Sequence, residues 1–252
     1  MDHAATNAII ASALSSLLGL AGGFIMLTKY QGVKHWSRYF VSFAAGALMG
    51  AAFFDLLKEV ITDHPDKLTS IFGWLMFGFL LFFIIEKLVL QHHPGDEEEE
   101  KHNHAHLIPL NIIGDAVHNF VDGTIIATTF LVNPAVGITT AVAVFLHEIP
   151  REIGDFSIMI YAGMTRRGVV IWNILGALVS PVAAILTVAV ATHVTAIQLP
   201  LLGIAAGNFI YIAAADLIPE IHQDKTKKSL VTQVLLLLAG LLIIVWLSGR
   251  VG

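Results

Sequence analysis

An all-helical membrane protein of eight spans is the fold this sequence predicts, and three observations predict it. Charge is scarce, long uncharged runs recur, and the remaining charges gather in short blocks between those runs. Of 252 residues 56% are hydrophobic and 13% charged, against about 25% charged in an ordinary soluble domain. A helix that crosses the hydrocarbon core needs about 20 apolar residues, more than the buried helices of soluble proteins usually offer. The chain has no cysteine, which excludes a disulfide framework and a thiolate metal site.

Apolar runs of spanning length lie at about 6–28, 38–62, 69–90, 108–131, 136–163, 168–193, 198–219 and 229–249. The first follows an N-terminus, MDHAATN, without the basic region of a cleavable leader, so it is expected to be a retained helix. It ends at Lys29 and Lys34, and Arg38 opens the second. Lys67 precedes the third, which closes at Lys87. The long segment 91–107, QHHPGDEEEEKHNHAHL, leads into the fourth. Arg166 and Arg167 separate the fifth from the sixth, and Lys225, Lys227 and Lys228 separate the seventh from the eighth. A single membrane domain over 1–252 is expected, with 91–107 as a His- and Glu-rich loop within it. With the N-terminus outside, ten Lys and Arg fall in inner loops and three on the outer side. Positive residues favour the cytoplasmic face, so both termini are expected outside the cytoplasm and the His-rich loop inside.

A repeat lies in this pattern. Residues 44–60 read AAGALMGAAFFDLLKEV and residues 205–221 read AAGNFIYIAAADLIPEI, with Ala-Ala-Gly, Asp-Leu and Glu at the same offsets. The segments fall in the second and seventh spans, which cross in opposite directions, and inverted repeats of this kind mark secondary transporters. The expected architecture pairs helices 1–3 with helices 6–8. The repeat puts Asp55 and Glu59 near the outer end of helix 2, and Asp216 and Glu220 near the inner end of helix 7. Acidic groups at both mouths of a path concentrate cations there.

The fourth and fifth spans carry the chemistry. GDAVHNFVDG holds Asp115, His118, Asn119 and Asp122, and HEIPREIGDF holds His147, Glu148, Arg151, Glu152 and Asp155. Ionisable groups at membrane depth are costly and mark functional sites by default. On a helix His118 and Asp122 share a face with Asp115 one turn behind, His147 shares one with Arg151, and Glu148 with Glu152. Imidazole and carboxylate together suit zinc and its first-row neighbours. Asp122 and Glu148 can offset the charge of a dication in a low-dielectric core. Pro150 leaves the carbonyl of Leu146 without its helical partner, a break expected where backbone lines a polar cavity.

HNFVDG, HEIPRE and a later DLIPE resemble the motifs of the ZIP (Zrt- and Irt-like) metal transporters. GDxxHNFxDG followed by HExPHExGD is most similar to the subfamily with the extended His-Glu-x-Pro-His-Glu signature. The resemblance implies an eight-helix bundle, usually a homodimer, with a metal site between helices 4 and 5. It implies His118, Asn119, Asp122, His147 and Glu148 as metal ligands, and an elevator-like movement of the helices that carry them. Asp115, Arg151, Glu152 and Asp155 are expected around the ligands, and Asp55, Glu59, Asp216 and Glu220 along the path. The second His of the signature is Arg151 here, and Ser180 stands where some members add an acid from helix 6. A guanidinium offers no lone pair to a metal, so a single-metal centre with a fixed cation beside it is expected, with Arg151 paired to Glu148 or Glu152.

The function implied is inward transport of divalent transition metals, zinc first, with iron, manganese, cadmium and cobalt also compatible with such ligands. The metal is cargo, and no cofactor or nucleic-acid partner is expected; the setting read from the sequence is a bacterial inner membrane. Two other classes stand beside it, an intramembrane metalloenzyme and a metal-responsive receptor. The zinc-protease motif HExxH fails at His147-Glu148-Ile149-Pro150-Arg151, which lacks the second His. His92, His93, His102, His104 and His106 surround Glu97, Glu98, Glu99 and Glu100 in the loop, and such tracts bind transition metals reversibly. Because this loop lies outside the spans, deleting residues 93–106 is expected to preserve the bundle and its transport step. Loss of all metal uptake in a correctly inserted deletion variant would place the loop in the pathway.

Overall fold

The computed structural model describes residues 3–91, 107–190, 198–222 and 227–251, without the side chains of 29–38, 89–91, 107, 110, 161, 198, 216, 220, 227–229 and 251. Most of the His- and Glu-rich segment, and the side chains of Asp216 and Glu220, thus lie outside the described residues. Helices account for nearly all of the rest: α1 His3–Gly19, α2 Ala21–Gly50, α3 Leu57–Asp63, α4 Leu68–Gln91, α5 Leu107–Val132 and α6 Pro134–Tyr161. After these come α7 Arg166–Ala177, α8 Val179–Ala189, α9 Gln198–Tyr211, α10 Ile218–His222 and α11 Lys227–Val251. Among the described residues five helical stretches are long and apolar enough to cross a membrane: His3–Thr28, Tyr39–Asp63, Pro65–Leu88, Arg166–Ala189 and Leu230–Arg250.

Two differences from the sequence reading have local causes. The backbone stays helical through 29–38, where an inner loop is expected, because QGVKHWSR contains no proline to end the helix. In the sixth expected span α7 gives way to α8 at Leu178. Pro181, with no N–H, leaves the Ala177 carbonyl without its helical donor, which interrupts the hydrogen-bond ladder at this junction. Pro150 lies inside α6, which stays helical from end to end, so the hydrogen bond it withholds from the Leu146 carbonyl does not end the helix. The α6–α7 turn is tight: Gly163 takes φ +88, Met164 N–H donates to the Met159 carbonyl at 3.0 Å, and Thr165 Oγ1 accepts from Gly168 N–H at 3.1 Å.

The packing is that of a protein dissolved in lipid. Phe72, Met76, Phe77, Leu80, Leu88, Leu235, Leu242 and Trp246 of α4 and α11 point outward, while Ser12, Asp115, Asn119, Asp122, Thr129, Thr140, His147 and Glu148 are buried. Backbone polar groups in hydrocarbon must be satisfied within the segment, which helices do. The chain is an all-α, multi-pass membrane protein.

α2 runs between α6 and α11 and packs closely on both. Gly22 and Gly23 at its start face Ile149 and Phe156 of α6, and Gly46 near its end faces Leu237 of α11. α1, α5, α6 and α8 pack on one another, and α4 packs on α9. Apart from dispersion, helices in lipid gain little by associating, so close backbone approach at small residues holds them.

The α2–α11 seam shows this. A Cβ on Gly46 would strike the Leu237 carbonyl, and one on Gly240 the Phe43 carbonyl. Both obstacles are backbone and cannot rotate away. Gly46→Val and Gly240→Val are each expected to cost about 1–3 kcal/mol or more, read as a lower aggregation temperature of the detergent-solubilised protein. Gly73→Ala, where a Cβ meets open space, is expected to leave that temperature unchanged or raise it.

Candidate metal centre

α5 and α6 are joined by one residue, Asn133, whose side chain accepts from Ala135 N–H at 3.0 Å and caps α6, with Pro134 in its first turn. This short link sets the two helices side by side, so residues a similar distance from the turn meet. His118 and Asp122 of α5 thereby face His147 and Glu148 of α6, and one ligand atom from each lies within 4.8 Å of all the others.

His118 Nε2 lies 3.0 Å from His147 Nε2 and 3.5 Å from Asp122 Oδ2. His147 Nε2 lies 3.2 Å from the same Asp122 oxygen. Glu148 Oε1 stands slightly farther off, 3.8 Å from His118 Nε2 and 4.0 Å from His147 Nε2. Bonds of about 2.0–2.2 Å at tetrahedral angles put neighbouring zinc ligand atoms about 3.3–3.6 Å apart. The four atoms thus approximate the corners of a zinc tetrahedron, with Glu148 needing the largest adjustment.

The surroundings orient these side chains. His147 Nδ1 lies 3.3 Å from the Ala143 carbonyl; donating there leaves the Nε2 lone pair for a metal. Both Asp122 oxygens are buried without a hydrogen-bond partner, which is costly unless a cation supplies one. Asn119 donates Nδ2 to the Asp115 carbonyl at 3.1 Å and to Asp115 Oδ1 at 2.8 Å, while its own Oδ1 is buried and unpartnered. Asp122, His147 and Glu148 are almost fully enclosed, whereas the His118 side chain is 21% exposed, so access to the group is from the His118 side.

Arg151 makes more contacts than the sequence reading gives it. Its Nε and Nη2 donate to the two oxygens of Glu148 at 3.1 and 2.7 Å. Its Nη1 donates to Asp115 Oδ1 at 2.6 Å and Asp155 Oδ2 at 2.9 Å. Glu152, one of the two partners expected, is the most distant at 3.6 Å. Asp115 and Asp155 were legible only as neighbours on their own helices. Their meeting around Arg151 joins α5 to α6, and spacing along one helix does not reveal it. Asp115, Glu152 and Asp155 themselves form a second set of close carboxylates.

Ser180 is engaged elsewhere, its Oγ 2.8 Å from Ser12 Oγ of α1. Asp55 is buried with Oδ2 unpartnered. It lines a small cavity of about 30 Å³ with Lys58, Glu59, Asn133 and Ser248. Glu59 Oε1 accepts from Asn133 Nδ2 at 2.9 Å, tying this cavity to the cap of α6. Sequence reasoning missed a backbone feature: Ala51–Leu56 and Ile212–Leu217 are π-helical. They begin at the same offset from the two Ala-Ala-Gly sequences, and each contains the repeated Asp, Asp55 or Asp216. Such π segments are frequent at functional sites.

Removing one charged ligand leaves the rest of a buried cluster uncompensated, at about 3–5 kcal/mol. Asp122→Ala and His147→Ala are each expected to weaken zinc binding by the purified protein at least about a hundredfold, measured by competition with a chelating dye. Asp66→Asn, on an exposed residue, is expected to bind as the wild type does. Wild-type affinity in a folded His147→Ala protein would refute the centre.

The family model described as ZIP zinc transporter matches residues 3–111 and 108–248. The zinc transporter ZIP13 of Pongo abelii is 31% identical over 264 residues, covering 95% of this chain and 78% of that protein. The mouse zinc transporter ZIP10 is 37% identical over 133 residues, 52% of this chain and 16% of that protein. The Drosophila melanogaster zinc transporter foi is 41% identical over 130 residues, 51% of this chain and 18% of its own length. The matched stretch is thus under a fifth of ZIP10 and of foi, while the likeness to ZIP13 runs almost from end to end of this chain. The chain belongs to the ZIP zinc transporter family.

Proposed function

We propose that this protein carries divalent transition-metal ions, zinc first, across the membrane into the cytoplasm. The observation that carries the reading is the convergence of His118, Asp122, His147 and Glu148 at distances suited to one tetrahedral ion. These four are the transport ligands, and the Asn119 oxygen is a fifth, weaker donor. Relatives named as zinc transporters make zinc the first cargo to test. They also leave the metalloenzyme and receptor readings without support.

The path follows from the same reading. The chain crosses the membrane eight times within one domain, both termini outside, with helices 1–3 repeated in inverted form as helices 6–8. The matching π segments support that repeat. Asp55 and Glu59 receive the ion at the outer mouth, and Asp216 and Glu220 stand near the inner one. The close packing of α1, α5, α6 and α8 on one another, and of α4 on α9, supports an elevator in which α1, α5, α6 and α8 move the ligands past α4 and α9. The working unit is a homodimer in a bacterial inner membrane, and the loop 91–107 delivers or senses metal on the cytoplasmic side.

Proteoliposomes with a zinc-sensitive dye inside test the function. Saturable zinc entry is expected, reduced by competing iron, manganese, cadmium or cobalt according to their affinity for nitrogen and oxygen ligands. Asp122→Ala and Glu148→Ala are expected to bring entry near the level of protein-free vesicles. Equal entry with wild-type protein and with none would overturn the reading.

A further inference from the structure

Arg151 stands in a position that metal transport as such does not require. It offers no lone pair, yet it makes its closest contacts with four carboxyl oxygens, those of Glu148, Asp115 and Asp155. Two of these belong to Glu148, whose Oε1 also faces the two imidazoles. Glu148 is therefore shared between a permanent cation, Arg151, and a visiting one at the His118–Asp122–His147 corner.

We infer that Arg151 is a resident cation that holds Glu148 when the metal has left, so that this carboxylate needs no counter-transported cation while the unloaded carrier crosses back. This inference rests on the transport reading and concerns the half of the cycle in which no metal is bound.

The argument is differential. With a dication at the centre, Glu148 has an opposite charge beside it whether or not Arg151 is present. Without the metal, Arg151 is the cation hydrogen-bonded to Glu148. A carboxylate left unpaired in a low-dielectric interior is strongly disfavoured. Removing the guanidinium therefore destabilises the unloaded carrier far more than the loaded one, and only such a difference shifts a conformational equilibrium. The geometry suits the task. Two parallel N–H donors to one carboxylate fix its plane, and Asp115 and Asp155 hold the other side of the guanidinium. These contacts tie Arg151 to both α5 and α6, so it travels with the ligands. Its side chain is 16% exposed, against 1% for Glu148, so it borders the centre on a more open side. A guanidinium keeps its charge throughout the physiological range, and the device needs no proton.

The same sharing sets Arg151 against the metal for Glu148. Loss of Arg151 should therefore tighten metal binding while impeding return of the empty carrier, a combination that general damage to the fold does not produce.

Two assays on the full-length protein, in vesicles clamped at zero membrane potential, separate the half-cycles. Entry of radioactive zinc into metal-free vesicles requires the empty carrier to return. Exchange into vesicles preloaded with unlabelled zinc does not. For Arg151→Met the ratio of net entry to exchange is expected to fall at least about tenfold, an effect of about 1.4 kcal/mol on the return step. Its zinc affinity is expected to rise. Arg151→Lys, which keeps a point charge without the fork, should restore most of the ratio. An unchanged ratio in Arg151→Met, or weaker zinc binding with both modes reduced alike, would overturn the inference. A wild-type protein that moves zinc in neither mode overturns the transport reading and this inference with it, whereas exchange in the wild type with no dependence on Arg151 leaves transport standing and removes only the resident cation.

Discussion

A carboxylate moved from water into hydrocarbon loses hydration worth many kcal/mol, and only paired charge or hydrogen bonds can replace it. This chain buries Asp55, Asp115, Asp122, Glu148 and Glu152 among helices whose outer faces are almost entirely apolar. The rest of the architecture can be read as the means of tolerating those five groups. Arg151 engages Asp115 and Glu148 directly, Asp122 lies beside the imidazole of His147, and the two unpartnered oxygens of Asp122 mark where a cation is still wanted. A protein selected for stability alone would place leucine at these positions.

Supporting such a cluster requires helices that approach closely and hold their register. Small residues allow the approach: Gly22 brings α2 against the backbone of α6, and Gly46 brings the far end of the same helix against α11. Hydrogen bonds fix the register, as in the Ser12–Ser180 contact between α1 and α8 and the Ser15 hydroxyl donating to the Ala141 carbonyl at 3.0 Å. The Asn133 cap sets the offset between α5 and α6, and that offset decides whether His118 meets His147. Each device works without apolar attraction, which the bilayer does not supply between helices.

The π segments belong to the same economy of backbone. An extra residue in a turn turns the following side chains and loosens the local hydrogen-bond ladder. Here this occurs at matching places in two helices and beside an acidic residue each time. In the first, Asp55 is enclosed against Ser248 and Asn133 at the edge of a small cavity.

Much of this was legible in the sequence. The all-helical membrane class followed from the apolar runs, because a span must match the hydrocarbon thickness, and five helical stretches among the described residues meet that length. Family membership followed from HNFVDG and HEIPRE, and the same motifs named the four side chains that the structure brings together as a candidate metal centre. Placing His118 and Asp122 on one face needed only helical periodicity. Contacts between helices were not legible. Spacing along α6 offered Glu148 and Glu152 to Arg151, and only the packing of α5 on α6 brought in Asp115 and moved Glu152 to the margin. Nor could periodicity foresee helical backbone through 29–38 or the π segments. A one-dimensional pattern specifies which face a residue occupies; the distance between faces is set by every side chain packed between two helices.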